Sequence, residues 1–425
     1  MSEGSLWRHA DFLRLWAAQA VSAFGSRITR TALPIIAVET LGVRESLIAA
    51  LVALQLAPGV VLALFAGGFI DRPNKRNILI GADLVRAVAV ASLTLAWVFD
   101  ALSMVHVIAV GAVVGAASAL FQITDNAYLP ALVGKRHLTE GNAKLEATDA
   151  IAEIGGPAST GVLISALGAP LTVVFDAASY VWSALVLGRI KAVEQPMPSN
   201  RPRRVRGGDL RIGFNAVLSH PLLRPILLSH MMWSISGGFF ISLYTPYCLR
   251  ELHISESTFG VIVAMGGIGS LAGALVSRRM VRALGVGRTL VITATLSLAC
   301  ALFIPLANTS LAGSFAMVVG FLIAHQLLSD GFSVAFVILA VTLRQTVIPR
   351  DMLGRVNAAV HVCTSGLLVV AALAAGWIAD RAGTPTAVWI GVLVGLVPPF
   401  LLLPLWKLRD MPAASRDSAS VLDTG

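Results

Sequence analysis

Gly67-Gly68-Phe69-Ile70-Asp71-Arg72-Pro73-Asn74-Lys75-Arg76 is the stretch on which the fold turns. It separates two apolar runs, 47–70 and 78–98, each of the roughly 20 residues that a membrane-crossing helix needs. A glycine near the end of the first run lets a neighbouring helix come close. Asp71 can accept hydrogen bonds from a helix N-terminus, and the basic residues hold the turn on the cytoplasmic face. Asn74 tolerates the left-handed backbone that such a tight turn requires.

Outward from this turn the chain repeats the same alternation of apolar run and short polar break. Of 425 residues, 56% are hydrophobic and 13% are charged, against about 25% charged in an ordinary soluble domain. A water-soluble globule is excluded. Apolar runs fall at 12–41, 47–70, 78–98, 104–127, 143–167, 171–190, 222–247, 259–280, 290–306, 311–343, 356–379 and 386–406. They predict twelve transmembrane helices. The polar start leads into the first run without a small-residue cleavage site, which reads as a retained span and not a removed signal peptide. With both termini cytoplasmic, 26 of the 32 Lys and Arg residues fall in inside segments, and only Arg44, Arg250 and Arg381 fall outside. That asymmetry sets the expected orientation. It also accounts for the net charge of +9 without a nucleic-acid partner.

The longest polar stretch begins at Lys191 and carries Pro196, Pro198 and Pro202 among five arginines. It divides the chain into an N-terminal six-helix bundle (1–190), a cytoplasmic basic linker (191–220), a C-terminal six-helix bundle (221–410) and a cytoplasmic tail (411–425). An internal echo supports the division. At an offset of 215 residues, Leu138, Asn142, Ala143, Gly161, Gly168 and Pro170 match Leu353, Asn357, Ala358, Gly376, Gly383 and Pro385. The two halves read as parallel duplicates.

The turn at Gly67, Asp71, Arg72, Lys75 and Arg76 resembles the signature of the major facilitator superfamily, with Asn74 where that family usually has glycine. Ser277-Arg278-Arg279 stands at the equivalent boundary of the second half, without the aspartate. Arg344-Gln345, Val347, Pro349 and Leu353-Gly354-Arg355-Val356-Asn357-Ala358 resemble the bacterial branch that includes enterobactin-type siderophore exporters and macrolide efflux permeases. The resemblance covers essentially the whole chain. It implies an all-α membrane protein of two six-helix bundles in the bacterial cytoplasmic (inner) membrane, working as a monomer on a small-molecule substrate by alternating access. It also implies a gate in which Asp71 caps the helix starting near Gly354 and Arg355. Gly155-Gly156-Pro157 with Gly161 in span five is similar to the helix-bend motif of drug and proton antiporters. Plain helix packing accounts for the same residues.

Charged side chains inside a membrane are costly and hence candidates for function. Arg27 and Arg30 share one face of span one, and Glu146, Asp149 and Glu153 share one face of span five. The arginines either meet the solute or pair with buried carboxylates. Asp149 and Glu153 either carry a proton or form static pairs. In the second half, His325 and Asp330 on span ten are the candidates, while His230 and His361 read as packing residues. Asp83, Arg86 and Asp125 read as a structural charge cluster, and Asp176 has no assigned role.

The chain lacks a phosphate-binding loop, a zinc-protease His-Glu pair and a hydrolase nucleophile elbow, so an enzyme is not expected, nor a cofactor or metal. Cys248, Cys300 and Cys363 have neither paired nor metal-ligand spacing. The expected function is proton-coupled export of an amphipathic drug, macrolide-like compound or siderophore. Facilitated uptake of a metabolite, or a non-transporting receptor or scaffold, are the alternatives.

Overall fold

The computed structural model describes residues 6–70, 74–192, 207–349 and 352–411. Among them every regular element is a helix. An apolar run in a bilayer must satisfy its own backbone hydrogen bonds, and a helix does so within one segment. The elements are α1 (Ala10–Ile35), α2 (Glu45–Ile70) and α3 (Lys75–Val98), then α4 (Met104–Gly134), α5 (Arg136–Leu167) and α6 (Ala169–Gly188). After them come α7 (Gly207–Ser219), α8 (Leu223–Glu251), α9 (Glu256–Leu284), α10 (Val286–Leu306), α11 (Phe315–Val347), α12 (Leu353–Ala382) and α13 (Thr384–Leu405).

Among the described residues, 11 helices, all but α1 and α7, are long and apolar enough to cross a membrane. α1 matches the expected first run in position, but Gln19, Arg27 and Arg30 dilute its apolar character. α7 occupies the second half of the 191–220 stretch. There Phe214, Val217 and Leu218 recur at helical spacing and pack on an apolar core around Leu227, Leu290 and Phe336. The prolines and arginines upstream obscure this short amphipathic run.

The chain packs as two units. The first comprises Met1–Arg204 with Ile241–Ala264 and Gly376–Thr384, and the second Val205–Phe240, Met265–Ala375 and Pro385–Gly425. Phe12, Leu15, Leu79, Tyr128 and Leu187 form a buried core in the first. The segments that join it from late in the chain are tied by polar contacts. Arg250 bonds Glu45 at 2.9 Å and the Val38 carbonyl at 3.1 Å, and Asp380 accepts from the Ser46 N–H at 3.1 Å.

The duplication is written into the backbone. Gly168 and Gly383, 215 residues apart in the sequence, both adopt positive φ, 81° and 86°, and each is followed two residues later by a proline inside a new helix. Gly42 and His253, and Asn74 and Gly285, repeat positive φ at a common spacing of 211 residues. α1 ends in a π-helical turn at Ile36–Thr40, and α8 ends in one at Tyr247–Glu251. Equal loops at equal intervals are what two copies of one bundle require.

Candidate functional site

In the first unit α1 to α6 enclose a cavity of about 580 Å³. Glycines bring its walls together. Gly115 of α4 lies against the Gln55 carbonyl of α2, and Gly156 of α5 lies against the stem of Arg27, so any larger side chain at either place would collide. Gly155 faces the Phe24 ring, while Gly161 and Pro157 lie against the backbone of residues 256–260. The Gly-Pro segment of α5 is thus a close-packing surface within the first unit.

One wall is a charge cluster bridging α1 and α5. Arg27 donates through Nη2 to both oxygens of Asp149, at 3.0 and 2.9 Å, and through Nε to Glu153. Arg30 reaches the other Glu153 oxygen at 2.5 Å. Arg27 is mostly covered, with 18% of its side chain exposed, whereas Asp149 at 53% and Arg30 at 55% remain open. Two arginines against two carboxylates leave the cluster neutral, and Glu153 is engaged on both oxygens. The sequence left solute contact and internal pairing open for these residues. Their geometry is paired, with Arg27, Arg30 and Asp149 also lining the cavity.

A second group lies deeper. Asp83 and Arg86, one helical turn apart on α3, form a buried ion pair. The Arg86 guanidinium is sandwiched by Phe121 at 4.5 Å and Tyr180 at 4.3 Å, a cation–π arrangement that compensates for lost hydration. Asp125 of α4, grouped with this pair by sequence, has a different environment. It lines the cavity and accepts from the Gln19 side-chain amide at 2.5 Å, with no ion pair to any described cation. Asp176 is buried beside Gly25, bonded by Ser179 at 3.2 Å.

His325 and Asp330 belong to the second unit and do not join this cavity. His325 begins a π-helical turn, His325–Ser329, in α11. Its Nδ1 lies 3.2 Å from the Cys300 carbonyl and its ring 5.3 Å from Phe240. Asp330 follows that turn, against Gly266 of α9. His230 packs on Trp233 and Phe336, and His361 lies 3.4 Å from the Ser365 hydroxyl. Asp71 and Arg72 of the turn motif lie outside the described residues. Arg76 donates to the Ile190 carbonyl, and Asn74 adopts the left-handed conformation, φ 65° and ψ 47°. Gly67 lies in α2, and Gly354 and Arg355 form the first turn of α12. Among the described residues no group of three or more His, Cys, Asp or Glu side chains is placed to hold a metal ion.

Stacked apolar helices enclosing a charged cavity define a multi-pass membrane transporter. The chain matches the Major Facilitator Superfamily model over residues 15–365 and again over 226–422, and it belongs to that family. It is similar to Macrolide efflux protein A of Streptococcus pyogenes, 26% identical over 276 residues, 63% of this chain and 67% of the relative. The Enterobactin exporter EntS of Citrobacter koseri is 25% identical over 359 residues, 83% of this chain and 82% of the relative. Among solved structures, a bacterial homologue of the iron transporter ferroportin in its inward-facing state superposes with a TM-score of 0.73. It is 17% identical and is matched over 95% of this chain and 100% of its own, a likeness of fold.

Proposed function

We propose that this transporter exports an amphipathic small molecule, a drug, macrolide-like compound or siderophore, in exchange for protons. α1 serves as its first of twelve spans, both termini are cytoplasmic, and a single chain is the working unit. The observation that carries this reading is the cavity in the first unit. Its lining combines apolar surface from Leu33, Leu56 and Phe121 with polar groups such as Gln55, Gln122 and Asn126. An amphipathic solute needs that combination, since apolar walls take its body and a few placed polar groups orient it. The open charges of Asp149 and Arg30 line the same cavity and suit a solute with polar substituents. The likeness to efflux proteins favours export over uptake. The phosphate-binding loop of an ATP-driven pump is missing from the sequence, so the proton gradient is the energy source proposed.

In everted vesicles containing the protein, a macrolide and a catecholate siderophore should accumulate against their gradients when the membrane is energised. An uncoupler should abolish the accumulation. Accumulation indifferent to the uncoupler would rule out proton coupling, and uptake into intact cells would reverse the direction.

A further inference from the structure

Proton exchange needs a carboxyl group shielded from bulk water, reachable from the transport cavity, and stable in both its charged and neutral forms. A carboxylate clamped by arginines fails the last condition, because neutralising it strands the cations. Glu153 is such a group, since Arg27 and Arg30 occupy both its oxygens. Asp149 receives both of its bonds from Arg27 and is more than half exposed. Asp83 is locked to Arg86. Glu146 lines the cavity but is exposed.

Asp125 meets all three conditions. It is partly buried on the cavity wall, and its single hydrogen-bond partner among the described residues is the neutral Gln19 amide, which holds one oxygen, Oδ1. An amide donor tolerates either protonation state of its acceptor's carboxyl group, since one oxygen keeps lone pairs after the other takes the proton. The charged groups around it come from each neighbouring element. α3 offers the Asp83–Arg86 pair, whose cation is already spent on Asp83. α6 offers the Tyr180 ring on Arg86, and α5 offers Glu146 and Asp149 across the cavity. Asp125 therefore faces negative charge without a cation of its own, an arrangement that a proton relieves.

We infer that Asp125 is the residue that takes up and releases the transported proton, its carboxyl group held in place by Gln19 and open to the cavity through its second oxygen. The inference rests on the proton-coupled reading, and it adds the residue at which the coupling occurs. The step is a simple protonation. A proton from water adds to the carboxylate oxygen facing the cavity and leaves again to water when the cavity opens to the other side.

The test reads the proton directly on the purified full-length protein, independently of any solute. Infrared difference spectra on acidification should contain the C=O stretch of a protonated carboxyl group that is missing in Asp125→Asn and retained in Glu153→Gln and Asp149→Asn. Gln19→Ala, which removes the donor that favours the charged form, should move the midpoint of that band to higher pH, whereas a merely structural aspartate would leave it in place. In vesicles, Asp125→Asn should lose uphill export of the macrolide while keeping downhill exchange. If Asp125→Asn does not fold, Asp125→Glu should restore folding and coupled export with a displaced pH profile. A band that survives in Asp125→Asn, a midpoint unmoved by Gln19→Ala, or an Asp125→Glu profile identical to wild type would overturn the assignment. Wild-type export insensitive to an uncoupler would instead defeat the proton-coupled reading and leave the spectroscopic assignment to stand or fall by itself.

Discussion

Glu153 sits at the junction of two arginines, and its exposure decides what it contributes. Breaking a fully buried ion pair costs about 3 to 5 kcal/mol, but 37% of the Glu153 side chain is exposed, and water screens what remains. Glu153→Gln should therefore lower stability by about 1 to 2 kcal/mol, with uphill export retained. Adding Arg30→Gln should recover part of that loss, because the second change removes a cation left without its partner. Melting curves of the single and double mutants, with transport measured alongside, check both statements. The sequence brought these residues into view through helical spacing on α1 and α5, yet spacing along one helix says nothing of which neighbour is faced. Asp125 shows the opposite failure. Its sequence context groups it with Asp83 and Arg86, and only the packing of α1 against α4 reveals that Gln19 is its partner.

At the scale of elements, turns carry most of what was legible. Asn74 precedes α3 in the left-handed region, where a side chain branched at Cβ costs about 1 to 2 kcal/mol. Asn74→Gly should be tolerated with little change in melting temperature. Asn74→Val should destabilise by about that amount, and equal stability for the two would mean that the turn relaxes to another conformation. The paired glycines at 168 and 383, each with proline two residues on, were visible as identities before their backbone angles were known. The π-helical turns that close α1 and α8 left no comparable mark, because an extra residue in a helical turn is set by tertiary contacts and not by local preference. The amphipathic α7 was hidden for a related reason, since its apolar face is short and has meaning only against the core it covers.

For the whole molecule, orientation follows from charge. Thiols engineered singly between Lys191 and Arg211 should react with an impermeant reagent only after the cytoplasmic face is opened. A thiol at Arg44, beside the Glu45–Arg250 pair, should react in intact cells. Labelling in the reverse pattern would invert the topology. The many basic residues on one set of loops make this a strong expectation, because moving them across the bilayer is opposed at insertion.

Hydropathy, the spacing of turns and the distribution of Lys and Arg by themselves determined that this chain is a helical membrane transporter, built by duplication, with the Major Facilitator turn between α2 and α3. Those properties are local or additive along the chain, so they can be read one segment at a time. Only the tertiary structure decided which charges neutralise one another, that Gly115 and Gly156 set the cavity walls, and that Asp125 stands without a cation. Pairing depends on atoms brought together from more than 100 residues apart, as in Gln19 with Asp125 and Arg27 with Glu153. No periodicity along the chain encodes which side chains will meet across a helix interface.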